Sequence, residues 1–326
     1  MADNPFDFET VIGELEELIA QLKSPERRAE ARDQGIDAEV EVARLEGELR
    51  RVMVQHYSNL SPWEKVQVAR FKDRPYALDY IRSIFDEFTE LSGDRLAGND
   101  EAVVGGLARL NGEPVVVIAQ QKAREIKERQ RRNFGMAHAE GFRKALRLAK
   151  LAEKFRKPLI SFVDTAGAAA DLRAEEHGVS EAIARNLQEF ALLETPIVSV
   201  IIGEGGSGGA LGMAVADRVL MLEHSIYSVI SPEGCAAILW HDKAKAHDAA
   251  SALQLTAQNA KRFGLVDEVL PEPLGGAHRN PLEMAETLQS ALKRHLGSLR
   301  LLTPCDLVNA RYARIRCMGV WDERQC

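Results

Sequence analysis

An α/β fold with a largely parallel sheet, entered through a helical arm, follows from three features of the 326-residue sequence. From about residue 100, short apolar runs alternate with stretches of helical periodicity. Before residue 92 the periodicity is helical throughout. Glycine clusters sit at the ends of apolar runs, where a strand must turn into a helix. Strands alternating with helices imply βαβ units whose sheet is covered on both faces.

Taken in order, Phe8, Val11, Ile12, Leu15, Leu18, Ile19 and Leu22 share one face of a helix entered after Pro5. A polar stretch over 24–37 separates it from a second stripe, Ala38, Val42, Leu45, Leu49 and Val52. Ser61-Pro62-Trp63-Glu64 has the spacing of a capping box, with proline at the first helical position. Leu78, Ile81, Ile84, Phe85, Phe88 and Leu91 predict a further helix over 76–91. These faces need a partner, from the same chain or another subunit. Beyond them, strands over 102–110 and 114–120 flank Asn111-Gly112, a hairpin signal. A helix over 142–155, a strand over 158–163, a loop over 164–178 and a helix over 179–193 come next. A strand over 196–202, the glycine-rich loop and a helix over 210–216 follow. Strands over 218–222 and 227–230, a helix over 232–240 capped by Ser231, and a helix over 282–296 complete the pattern.

The formal net charge of −7 argues against a nucleic-acid binder that works by broad phosphate neutralisation. Lys122, Arg124, Lys127, Arg129, Arg131 and Arg132 form a local basic run, readable as a ligand contact or as a solvated helix face. The acidic first ten residues lack the layout of a signal peptide, and no apolar run approaches the ~20 residues of a membrane span. A cytoplasmic protein with no membrane role is expected. The cysteines Cys235, Cys305, Cys317 and Cys326 are scattered without a CxxC pair, which leaves neither a zinc ribbon nor a disulfide framework.

The chain is organised around residues 201–217, where Gly203, Gly205, Gly206, Gly208 and Gly209 separate a strand from a helix. Such a turn presents backbone N–H groups to negative charge, as a phosphate cradle or as an oxyanion hole. Asp164-Thr165-Ala166-Gly167-Ala168 is a second loop of the same kind, also after an apolar strand and before a helix. Two such loops side by side could offer converging N–H groups at the carboxyl ends of the strands. Glu175, Glu176 and His177 lie after that loop as acid–base candidates or surface groups. Cys235, His241 and His278 have no catalytic or metal partner at a recognisable spacing.

The stretches RRNFGM (131–136), EGFRKALRL (140–148), SEAIARNL (180–187), IGEGGSGGAL (202–211), YSVISPEGCAAILW (227–240) and PEPLGGAHRNP (271–281) carry a resemblance. With the helical start, including RPYALDYI (74–81), the chain resembles the carboxyltransferase alpha-subunit family of bacterial acetyl-CoA carboxylases, within the crotonase-like (ClpP/crotonase) superfamily. The resemblance implies an N-terminal helical arm (1–95), a core of repeated ββα units (96–275) and a C-terminal helical segment (276–326). It implies transfer of carboxyl from carboxybiotin, borne by a biotin carboxyl carrier protein, to acetyl-CoA. The product is malonyl-CoA, in the first step of fatty acid synthesis. It further implies no cofactor bound by this chain, a carboxyltransferase beta subunit of similar fold carrying the zinc, and an α2β2 assembly. By motif position, the amides of Gly208 and Gly209 would hold the ureido oxygen. Gly167 and Ala168 would be second choices, Gly205, Gly206 and Ser207 would shape the substrate loop, and Arg131 and Arg132 would meet CoA phosphates or the carrier.

The sequence departs from the family at the first loop. Ala166, Ala169, Ala170, Asp171 and Arg173 stand where the pattern has Pro, Tyr, Pro, Gly and Gly; Ala123 stands for Gly, and Ala137 and Ala139 for prolines. Losing proline and glycine should loosen or reshape that loop. An alternative reading follows, a catalytically weak paralogue kept as a scaffold or regulatory subunit for a beta-like partner. A stand-alone hydratase or isomerase lacks a carboxylate pair at the two loops.

Overall fold

The computed structural model describes residues 9–28 and 37–319; Pro5, Phe8, most of the polar stretch after Ser24 and Cys326 lie outside the described residues. The arm opens with α1 (Thr10–Lys23) and α2 (Ala38–Tyr57), which pack on each other through Leu15, Ile19 and Leu45. In α3 (Pro62–Ala69) the expected capping box is complete, with Ser61 accepting from the Glu64 N–H and Glu64 from the Ser61 N–H. Its Val66 and Ala69 pack against Ile226, Ala250 and Leu255, so the same chain buries this part of the arm.

The helix expected over 76–91 is a correction. Here α4 (Ala77–Ile84) stops at Phe85, which is extended, and β1 (Glu87–Glu90) pairs antiparallel with β2 (Val103–Leu110). Gly106 permits this edge strand, because a Cβ there would lie 2.0 Å from the Thr89 carbonyl oxygen. Asn111 and Gly112, both at positive φ, then turn β2 into β3 (Glu113–Gln120).

After the short α5 (Ile126–Arg131), α6 (Ala139–Lys154) leads into β4 (Leu159–Thr165). The expected loop over 164–178 contains α7 (Leu172–Glu176), capped by Asp171. Helix α8 (Val179–Leu192) leads to β5 (Ile197–Gly206), and α9 (Ser207–Ala214) follows without an intervening residue. There is thus no glycine loop: the strand runs through Gly206 and the helix starts at Ser207, three residues earlier than the apolar pattern suggests. The chain continues through β6 (Arg218–Leu222), β7 (Ile226–Ser228), α10 (Pro232–Trp240), α11 (Ala246–Leu253), α12 (Ala257–Arg262) and β8 (Glu268–Leu270). It ends with α13 (Pro281–Leu299) and α14 (Pro304–Arg316).

The sheet order is β1-β2-β3-β4-β5-β6-β8, antiparallel through β3 and parallel from β3 onward, with β7 beside the far end of β5. Both faces are covered. Phe142, Leu148, Phe190 and Met213 of α6, α8 and α9 pack on one, and Tyr80, Ile81, Met284, Leu288 and Leu296 of α4 and α13 pack on the other. Strand residues alternate between these cores, as Val116 and Ile118 against Val117 and Ala119 show. α14 lies within the segment expected to be helical, without a helix of its own marked there. Its buried Arg311 donates to Asp217 at 2.9 and 3.0 Å and to the Phe190 and Leu193 carbonyls, closing the C-terminus of α8. No described helix is long and apolar enough to cross a membrane.

Candidate active site

The site is built where β4 and β5 leave the sheet. Their register passes from Val163–Ile201 to Thr165–Gly205, so β5 spends four residues where β4 spends two. The extra length bulges at Gly203 and Glu204. Asp164 fills the bulge: its carboxylate accepts from the Glu204 N–H at 2.9 Å and lies where a Cβ on Gly203 would be, 2.5 Å away.

The missing Cβ atoms of these glycines make room for specific neighbours. A Cβ on Gly206 would lie 2.1 Å from the Ala166 oxygen, and one on Gly209 would lie 2.3 Å from the Gly167 carbonyl carbon. The two strand-end segments therefore touch backbone to backbone, Gly206 on Ala166 and Gly209 on Gly167. Gly205 accommodates the Tyr227 ring, which would come within 2.8 Å of a Cβ. These glycines serve protein packing rather than the open ligand approach that the sequence suggests. Gly208 differs, since a Cβ there would meet Ile183 at an ordinary 3.7 Å.

Ser207 takes a positive φ of 50° to turn the chain into α9, and Gly206, as N-cap, has no side chain to satisfy the helix start. Among the described residues, the N–H groups of Ser207, Gly208 and Gly209 donate to no side chain and to no loop carbonyl. Helix starts leave these donors to an outside acceptor. Gln120, fully buried, braces the turn by donating to the Gly209 carbonyl at 2.7 Å while accepting from the Asp164 N–H at 3.2 Å. In the neighbouring segment the Gly167 N–H is taken by Thr165 Oγ1 at 3.2 Å.

Ser207 and Gly208 open onto a cavity of about 570 Å³, walled by Leu187, Leu211, Tyr227, Val229, Leu265 and Ile315 and largely apolar. Arg314 borders it, held by Asp267 at 3.0 Å. The setting combines low polarity with helix-start donors that no side chain caps, conditions under which N–H groups bind anions strongly.

Beneath the turn lies a charge cluster that pattern reading missed. Lys122 Nζ sits 2.7 Å from Asp164 Oδ1 and 2.7 Å from Glu204 Oε2. Arg70 of α3's C-cap bonds Glu204 at 2.7 Å and Glu233 of α10 at 2.6 Å. Burial alone would raise the Glu204 carboxyl, but Lys122 and Arg70 outweigh it and hold it at about 2. Burial likewise opposes the Lys122 charge, and its two carboxylates outweigh burial and raise its pKa. One residue before the bulge, the Ile202 carbonyl accepts from buried Arg74 at 2.9 Å, and Arg74 is paired with buried Glu272. The PEPLGGAHRNP stretch thus contributes a buried carboxylate. Signals existed in Lys122 next to an apolar strand and in Glu204 as a lone acid among glycines, but neither has a period that marks it.

Arg131 pairs with Glu101 and Glu128, and Arg132 donates to the Glu101 carbonyl; no hydrogen bond or ion pair among the described residues joins either to the glycine turn. Arg124 pairs with Asp79, and Arg129 lies over the Phe134 ring. His177 bonds Glu140 at 2.5 Å, while Glu175 and Glu176 stay exposed on α7. Cys235 is buried beside Ala236 and Ala249, His241 is an exposed C-cap, and His278 packs edge-on to Phe71. Among the described residues no His, Cys, Asp and Glu side chains cluster in a way that could hold a metal ion.

The family model described as "Acetyl co-enzyme A carboxylase carboxyltransferase-like" matches residues 5–319. The acetyl-coenzyme A carboxylase carboxyl transferase subunit alpha of Geobacter metallireducens is 53% identical over 317 residues, covering 97% of this chain and 98% of that one. The subunit of the same name from Idiomarina loihiensis is 53% identical over 319 residues, covering 98% and 99%. Among solved structures, transcarboxylase 12S with methylmalonyl-coenzyme A bound superposes with a TM-score of 0.56 at 21% identity, covering 73% of this chain and 45% of that one. A Pseudomonas malonate decarboxylase hetero-tetramer in complex with coenzyme A gives 0.56 at 17% identity, covering 73% and 96%. At these identities the structures share the fold.

Proposed function

The chain belongs to the acetyl-CoA carboxylase carboxyltransferase-like family, and from that premise we propose that it handles the carboxybiotin side of carboxyl transfer to acetyl-CoA. As carboxyl leaves the N1 of biotin, negative charge grows on the ureido oxygen. The N–H groups of Gly208 and Gly209 are proposed to receive it, with Ala168 as the contributor from the neighbouring segment, because Thr165 engages the Gly167 amide. Gly205, Gly206 and Ser207 shape the turn. Losing one such donor typically costs about 2.7–4 kcal/mol of transition-state stabilisation. The basic ureido oxygen formed in this step can take the methyl proton of acetyl-CoA, so no side-chain base of this chain is invoked.

The observation that carries the reading is the uncapped start of α9 facing an apolar cavity, braced from behind by Gln120. The altered first loop does not weigh against it. Ala166 and Gly167 rest on Gly206 and Gly209, the Ala169 N–H donates to the Ala137 carbonyl at 2.9 Å, and Asp171 caps α7 while bonding His138 at 2.9 Å. Two replaced positions, Ala169 and Ala137, thus bond each other and Asp171 bonds its neighbours, and the structure gives no support to the scaffold alternative.

The partners we propose are a zinc-bearing carboxyltransferase beta subunit, in an α2β2 assembly, and a biotin carboxyl carrier protein. Arg131, the more open of its pair, and Arg132 are proposed to meet CoA phosphates or the carrier. The segments 1–95, 96–275 and 276–326 are read as arm, catalytic core and C-terminal cover, with β1 and α13 joining the outer two to the sheet. Co-purification with the cell's zinc-ribbon beta subunit, followed by an assay of malonyl-CoA decarboxylation with free biotin, tests the reading. A complex that forms and does not turn over would refute it.

A further inference from the structure

We infer that Lys122 is a positioning residue, whose ammonium group, clasped between Asp164 and Glu204, sets the spacing of the two strand ends that carry the anion site. The inference rests on the site reading above and adds what holds that site in register. Between Val163–Ile201 and Thr165–Gly205 the β4–β5 ladder is interrupted, so strand hydrogen bonding does not fix the spacing there. Lys122 spans the gap with two 2.7 Å contacts, one to each strand. Two residues further on, Gly206 lies against Ala166 with no side chain between to absorb an error. Gly135, at φ 81°, packs on the Lys122 stem, where a Cβ would lie 2.8 Å from Cγ. Lys122 does not line the cavity, so its effect belongs on rate rather than on affinity.

Removing the ammonium leaves two carboxylates in one buried site without the cation between them, and like charges so placed repel and favour proton uptake by one of them. The groups facing the cluster are Arg70 and Arg74 from the arm, Tyr76, and Glu233 on α10, with Arg124 and Arg129 beyond them beside Tyr76. Burial holds Tyr76 neutral, and Arg70 outweighs burial to hold Glu233 ionised. Arginine charge is permanent, so a proton that the variant takes up and the wild type does not is assigned to the Asp164–Glu204 pair.

The test is Lys122→Met, co-purified with the beta subunit and assayed for biotin-dependent malonyl-CoA decarboxylation. We expect assembly to persist, kcat at pH 8 to fall by about 100-fold, as for a misplacement of roughly 1 Å, and KM for malonyl-CoA to stay within about twofold. The variant's kcat should recover in part as pH is lowered, because protonating one of the facing carboxylates relieves the repulsion between the strand ends, whereas the wild type should show no such recovery. If Lys122→Met does not fold, Asp164→Asn, which keeps the shape and the acceptor for Glu204, should show the same split between kcat and KM. Wild-type kcat in these variants, or a loss that follows thermal unfolding at every pH, overturns the inference alone. An inactive wild-type complex overturns the site reading and this inference with it.

Discussion

Replacing Gly209 by alanine keeps every N–H group of the turn and changes only the space behind it. The added Cβ would lie 2.3 Å from the Gly167 carbonyl carbon, 2.5 Å from the Ala168 nitrogen and 2.6 Å from the Gly167 oxygen. All three are backbone atoms, so no side chain can swing aside. Restoring ordinary contact at 3.4 Å takes a displacement of about 1.1 Å between the two strand-end segments. A misplacement of that size costs about 100-fold in rate, or about 2.7 kcal/mol of activation free energy. Gly208→Ala is the matched control for folding, since its Cβ meets Ile183 at 3.7 Å. The assay is biotin-dependent malonyl-CoA decarboxylation by the complex with the beta subunit, alongside thermal melting. Gly209→Ala should lose kcat by about two orders of magnitude and melt lower, while Gly208→Ala should melt at or near the wild-type temperature. A Gly209→Ala complex with wild-type kcat would refute the claim that backbone contact between the segments sets the geometry of the site.

Glu272→Gln should destabilise the chain by about 3–5 kcal/mol in chemical denaturation, because buried Arg74 is left without its counter-charge. Acid titration should show a related effect. Burial opposes the charge of Glu204 and Glu272, but their cations hold both at about 2, so their stabilisation is complete above the unfolded carboxyl value of about 4.3 and is lost as pH falls through about 2. Circular dichroism against pH should place acid unfolding in that window, and a Glu204→Gln/Glu272→Gln double variant should flatten it. Arg311→Ala should lower the melting temperature markedly, since it frees Asp217 and the carbonyls that end α8. Arg131→Ala should leave melting unchanged and raise KM for malonyl-CoA or carrier by no more than about fivefold, the worth of one exposed ion pair; no change in either KM would remove Arg131 from substrate binding.

Local chemistry was legible in the sequence. The Asn111-Gly112 turn, the capping box at Ser61 and the helix Pro232–Trp240 after its Ser231 cap all stand where their residues place them. These signals act within a few residues and need no tertiary partner. Phe85 and Phe88 misled because a spacing of three suits a helix, and only the bare backbone of Gly106, far along the chain, makes a strand edge available. The glycines around residue 206 were conspicuous, yet what each accommodates is set by Asp164, Ala166, Gly167 and Tyr227. No pattern within 203–209 contains that information. Lys122 and Arg311 likewise acquire their roles from carboxylates on distant strands.

The pairing of Arg74 with Glu272 joins residues 198 positions apart. At a synthesis rate of about 5–20 residues per second, the arm emerges from the ribosome roughly 10–40 seconds before its carboxylate does. Through that interval Arg74 lacks its Glu272 counter-charge, and for most of it the Val66–Ala69 face has neither Ile226 nor Leu255 to cover it. The arm is made well before the residues that seat it. A nascent chain of this architecture therefore carries an uncovered arm for most of its core's synthesis, and a codon-level slowing between residues 74 and 272 would lengthen that stage.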